Sequence, residues 1–375
     1  MPLSAVDCVQ PAIQHTRDQL FRPFRFGQWS RLALVGVLAA ELNASGCNFN
    51  GINFPVSSHP HRTQGLFTAA TPFAPFDPSH FDPSRIAQAL GLIIAIGLVA
   101  MVLFFVFLYI NSVFRFILFD SVLKKRCSIS EGWGRWHRAG RRYFLWQIVF
   151  IIAEFLFLGV LIGVPLAIAA ALGWFRDAGQ HIARSVLGVI LLVGLFLVFL
   201  LVAWTVQLLA KDFLVPIMAL EDLDFADGWS RLTGLIRPEP GRYAVYLLLK
   251  IVLAIAAAIV FSIIALVPIV VIVAPAIAAV FAGHAAGLGW NVTTISLTVI
   301  LGTLLLFFLI YAIAMISVPA TVFFPAFSIY FFASRYPKLD ALLAPPPPIV
   351  ETPPVLETPP LIEPPPLPPS PEPIG

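Results

Sequence analysis

The 375-residue chain is 59% hydrophobic and only 11% charged, with a net charge of +3 and a mean hydropathy of +0.90. A soluble domain of this length needs about a quarter charged residues to coat its surface. A water-soluble globular chain is thereby excluded, and because the apolar residues come in blocks, the bilayer is the natural solvent.

In chain order, residues 1–30 form a basic, amphipathic lead with Arg17, Arg22 and Arg25, followed by a short apolar stretch over 31–44 that carries Glu41. Four segments are long and apolar enough to span alone: Ile86–Ile110, Tyr143–Ala171, Val186–Ala210 and Val292–Ile316. Each has about 25 residues, about 37 Å of helix against a hydrocarbon core of about 30 Å. A fifth block, Tyr243–Ala282, is interrupted by Pro268 and Pro275. Proline lacks the donor that a continuing helix uses, so a crossing over Tyr243–Leu266 is expected, with 267–282 a broken or re-entrant extension.

Charge sets the topology. Lys and Arg gather in 1–31, in 115–142 (Arg115, Lys124, Lys125, Arg126, Arg135, Arg138, Arg141, Arg142), in 211–242 (Lys211, Arg231, Arg237, Arg242) and at Arg335 and Lys338. The loops 45–85, 173–185 and 283–291 are poor in them. The positive-inside rule makes the basic segments and both termini cytoplasmic, and the sides alternate only if 31–44 also crosses. Six crossings are expected. Reading 1–47 as a lipoprotein signal ending at Cys47 fails, because Glu41 and Asn43 fall where that signal is apolar. Cys8, Cys47 and Cys127 are far apart, and no intramolecular disulfide is expected.

Trp29-Ser30-Arg31-Leu32 recurs as Trp229-Ser230-Arg231-Leu232, with Trp133-Gly134-Arg135 between them. The spacing, about 100 residues, suggests three units over about 27–120, 128–220 and 224–330. Each unit reads as a helical hairpin led by an interfacial elbow, with exits at Phe114-Arg115-Phe116, Phe213-Leu214-Val215-Pro216 and Phe323-Phe324-Pro325. Trp29, Trp133 and Trp229 suit the headgroup level, and Arg31, Arg135 and Arg231 can reach lipid phosphate. Anchoring needs no ligand, and Ser130–Arg142 has the pattern of a helix lying in the interface.

On these residues the chain resembles a family of bacterial and archaeal polytopic membrane proteins known only as a domain of unknown function. The likeness rests on the amphipathic start Pro11–Leu20, on Leu20-Phe21-Arg22-Pro23-Phe24-Arg25-Phe26 running into Trp29-Ser30-Arg31-Leu32, on Gly46–Pro55 and on Phe323–Tyr336. It covers about residues 5–340 and implies the fold, with no activity attached.

Two ionisable residues fall inside crossings, Glu154 and Lys250. Such groups are expensive in lipid and are functional candidates by default. They could pair with each other, relay protons or contact a substrate; alternatively, Lys250 snorkels to the cytoplasmic face. Asn111 and Gln207 lie near membrane ends. His59, His61, Asp77, His80 and Asp82 in the first external loop match no zinc spacing, and neither do Asp177 and His181. The sequons at Asn43 and Asn291 sit at the membrane boundary and read as chance.

No phosphate-binding Gly loop, HExxH or GxSxG is present, and the loops are too short for a catalytic domain. Residues 341–375 form a proline-rich tail with Glu351-Thr352-Pro353-Pro354 and Glu357-Thr358-Pro359-Pro360, a spacer that could dock a cytoplasmic partner. The expected protein is an all-α, polytopic transmembrane bundle of the cytoplasmic membrane of a prokaryote. It is expected to be a non-enzymatic scaffold or accessory protein that packs with membrane lipids and other membrane proteins. No metal, cofactor or nucleic acid is expected. A transporter or channel using Glu154, or a membrane enzyme acting on lipid, are the alternatives.

Overall fold

A computed structural model describes residues 3–39, 83–171, 182–287, 289 and 291–343. Residues 40–82, with the end of the first apolar stretch, the first sequon and the loop histidines, then Asp177 and His181, and the tail from 344 onward lie outside the described residues. Within them the chain is helical, with no strand. The helices are α1 (Val9–Phe21), α2 (Phe26–Leu38), α3 (Pro83–Leu123), α4 (Ile129–Ala171), α5 (Ile182–Leu209), α6 (Val215–Glu221), α7 (Phe225–Ile236), α8 (Pro240–Ala285), α9 (Val292–Ala333) and α10 (Pro337–Leu343). A π-helical turn, Ala210–Leu214, joins α5 to α6.

Five of these helices are long and apolar enough to cross a membrane: those over Leu90–Leu123, Ile129–Ala171, Val186–Glu221, Pro240–Ala285 and Val292–Ala333. The 13 residues of α2 fall short of the ~20 that a span needs.

Two expectations are corrected. Pro268 and Pro275 do not break the fifth block: α8 runs through both as one helix of 46 residues. A membrane helix tolerates proline where local adjustment or a neighbour re-satisfies the freed carbonyl. Nor is Ser130–Arg142 a separate interfacial helix. It forms the first turns of the continuous α4, antiparallel to the end of α3. Gly132 and Gly140 let the two backbones close up: a Cβ on Gly140 would meet Val113 Cα at 2.9 Å, and one on Gly132 would meet Ile117 Cγ1 at 3.0 Å.

Burial is concentrated at one end. Every residue of α3 from Leu90 to Phe107 is exposed, then Val113, Phe116, Ile117 and Val122 are buried. The same change occurs along α5 and α9. The exposed band of α3 is about 18 residues, about 27 Å of helix, close to the ~30 Å hydrocarbon core. Lipid supplies no hydrophobic drive for helices to associate, whereas water at the ends does. The core therefore lies where the long helices leave the apolar band.

This packed base holds Phe116, Tyr143, Phe213, Tyr246, Phe327, Phe331 and Phe332, all nearly inaccessible, together with the basic segments of the sequence. Large side chains contribute roughly 1.5–3 kcal/mol each when fully buried. The buried face of α1 is partly polar for a reason. His15 Nε2 lies 2.9 Å from the carbonyl of Val122, and Gln19 Nε2 donates to the carbonyl of Ser121 at 3.0 Å. Those carbonyls belong to the last turn of α3, beyond the reach of the i→i−4 ladder; that of Val122 also accepts the Lys125 amide at 3.2 Å.

The three Trp-led segments pack in a similar way. α2 lies on α9, with Gly36 against Thr321; the start of α4 lies on α3, with Gly132 against Ile117; α7 lies on the π-turn and α6, with Gly228 against Leu214. The N-terminal elements thus contact the last long helix. Arg335 reinforces the closure, donating from Nη2 to the carbonyl of Leu3 at 3.2 Å and pairing with Glu239 at 3.3 Å.

Candidate functional site

The π-turn places Asp212 in the middle of the base. π-turns insert an extra residue and often re-aim a side chain at a functional position. Pro216 contributes locally, since it offers no N–H to the Asp212 carbonyl four residues back. Asp212 Oδ2 receives a hydrogen bond from Tyr246 Oη at 2.9 Å and an ion-paired contact from Lys250 Nζ. All three side chains are buried. The ring of Tyr246 stacks on Phe331 and Phe327, at centroid distances of 4.5 and 5.1 Å. Tyr246 and Lys250 are four apart on α8, so one helix face presents both to the carboxylate.

A cleft opens beside this pair. It is lined by Arg115, Leu118 and Phe119 of α3, by Lys211 and Asp212 of the π-turn, by Pro216, by Lys250, and by Phe324, Pro325 and Ser328 of α9. Its space is about 30 Å³, about one water's share of liquid volume. Three cations and one carboxylate line it, a net charge of +2 from Arg115, Lys211, Lys250 and Asp212. Arg115 is held by Tyr143: Nη1 donates to Tyr143 Oη at 2.7 Å, and the guanidinium lies 5.5 Å from that ring's centroid. Its Nε is buried with no hydrogen-bond partner among the described residues.

The proposed Glu154–Lys250 pair is corrected by this geometry. Lys250 is buried and bound to Asp212, so it does not snorkel. Glu154 lies half-buried on the facing sides of α4 and α5 among Ala153, Phe157, Leu195, Val198, Phe199, Val202, Ala203 and Val206. It has no ion-pair partner among the described residues.

The elbow residues are dispersed round the base. Arg31, Arg135 and Arg231 are exposed, as is Trp133. Trp29 is half-buried and donates from Nε1 to the carbonyl of Met315 at 2.9 Å. Pro319, four residues on, cannot fill that carbonyl, so the indole replaces the missing helical bond. Trp229 stacks on Phe225, which stacks in turn on Trp146. Asn111 also has a structural task, donating to the carbonyl of Leu38 at the end of α2. Asn291 of the second sequon caps α9, accepting from the Thr294 amide at 2.8 Å.

Asp212 and Tyr246 escaped the sequence reading. A signal existed: Lys211-Asp212 closes an otherwise apolar run and directly precedes the Phe213–Pro216 exit. Its partner, 38 residues away, is set by tertiary packing.

A family model described as "Family of unknown function (DUF7544)" matches residues 3–342. The chain belongs to that family. The match takes in the base, the cleft and all five long helices, and ends at the start of the proline-rich tail. No curated protein and no solved structure matches the chain.

Proposed function

We propose that this family member is a non-enzymatic scaffold or accessory protein of a membrane, built from three hairpin units closed through a packed base. One observation carries the reading. The outer half of α3, Leu90–Phe107, is apolar and exposed round its whole circumference, and the described residues leave it uncovered. Such a surface suits lipids and other membrane helices, and the polar chemistry of the described residues lies mainly at the base. The similar packing of α2, the start of α4 and α7 supports the three-unit organisation. The clustering of basic segments at the base supports placing it on the cytoplasmic side of a prokaryotic cell membrane.

A photoreactive residue at Phe104 or Leu98 in intact membranes tests the scaffold reading. Discrete protein adducts are expected, and lipid adducts alone at both positions would sink it. The transporter alternative rests on Glu154, whose apolar surroundings support a lipid-facing or packing role. A cysteine at that position, with Cys8, Cys47 and Cys127 replaced, is expected to resist a soluble thiol reagent. Rapid labelling would favour the transporter.

A further inference from the structure

We propose that the cleft between α3, the π-turn and α9 is a binding site for a phosphate group, with Arg115 and Lys211 as its principal contacts. The inference rests on the membrane reading but not on the scaffold role.

Three observations bear on it. The lining carries a net charge of +2, and its single carboxylate, Asp212, is already engaged by Lys250 and Tyr246. Arg115 is pre-positioned by Tyr143 and keeps a buried Nε without a hydrogen-bond partner among the described residues. A planar guanidinium with spare donors is suited to phosphate oxygens. Depth places the cleft within reach of water. On α3 the exposed band ends at Phe107, and Arg115 follows about 12 Å further along the helix. On α5 the last strongly exposed residue is Trp204, and Lys211 follows at about 10 Å. Headgroups extend about 5–7 Å beyond the hydrocarbon on each side, so the cleft lies a few ångströms beyond the headgroup layer, on its aqueous side.

The phosphate could belong to an anionic phospholipid or be free in solution. The full chain in phosphatidylcholine nanodiscs separates these sources when titrated with phosphatidylglycerol in one arm and inorganic phosphate in the other. Binding in either arm supports the site, and the responding arm names the source. Lys211→Gln is the first variant, because it lies at the rim of the buried pair and leaves Asp212–Lys250 intact. Arg115→Lys, which keeps charge and loses the fork, is the second. Each is expected to weaken binding about tenfold, with the thermal midpoint little changed. Arg231→Gln, on an exposed elbow, controls for general attraction to negative lipid and is expected to leave affinity within about twofold of the native chain. No binding in either arm would overturn the proposal. So would native affinity in both cleft variants, or an equal loss in Arg231→Gln.

Discussion

At the scale of single residues, buried polar groups here complete backbone bonds that helices leave open. Gln19 does so at the Ser121 carbonyl, and His15 adds a second donor to a carbonyl that already accepts the Lys125 amide. The His15 Nε2 faces the Val122 carbonyl and its Nδ1 faces Tyr330 Oη at 3.1 Å, an arrangement served by the neutral ring donating from Nε2 and accepting at Nδ1. Burial holds the His15 pKa below its ordinary 6.5, with the positive charge of Lys125 adding to the effect and the Val122 carbonyl opposing it. The sign follows from linkage: with the folded value depressed, the unfolded chain binds the proton first as pH falls. The stability due to neutral His15 is thus complete above the ordinary value and is lost as pH drops below it. Thermal unfolding in detergent should show the native chain losing more midpoint between pH 7.5 and 5.5 than His15→Gln. Parallel losses in the two would show that His15 does not titrate on unfolding.

At the scale of elements, continuity and interruption were redistributed relative to the sequence. Two prolines left α8 intact, and an expected elbow merged into α4, while an unremarkable Ala-Lys-Asp-Phe-Leu stretch became the π-turn. That turn couples α5 to α8 through the Asp212–Lys250 pair. A buried pair is expensive to desolvate, so deleting one member leaves an uncompensated charge and costs about 3–5 kcal/mol, whereas replacing both is much cheaper. Lys250→Met should therefore be strongly destabilising, and the double variant Asp212→Leu/Lys250→Met should recover much of the loss. Thermal unfolding of the native chain, both singles and the double measures this coupling. Additive losses in the double would mean that the pair is not energetically linked.

At the scale of the whole molecule, a water-driven core joins helices whose apolar halves stand largely apart. The exposed bands should therefore lie at hydrocarbon depth and the base outside it. A fluorophore attached to a cysteine at Leu98 or Ile190 should be quenched by lipids brominated along the acyl chain. One at Arg138, exposed at the base, should respond to a soluble quencher instead. Equal response to both quenchers at all positions would contradict the division.

Solvent class, helical content and the long apolar segments were legible in the sequence because they depend on composition and run length, which are local properties. The Trp-x-Arg recurrences were equally visible, since they need only identity at a spacing. Tertiary structure alone decided which groups meet. Lys250 chose Asp212 over Glu154, Trp29 found the carbonyl that Pro319 leaves open, and Arg115 and Lys211 came to share one cleft. Those choices depend on distances between helices far apart in the chain, and charge pairing within the base is set by where packing places each side chain.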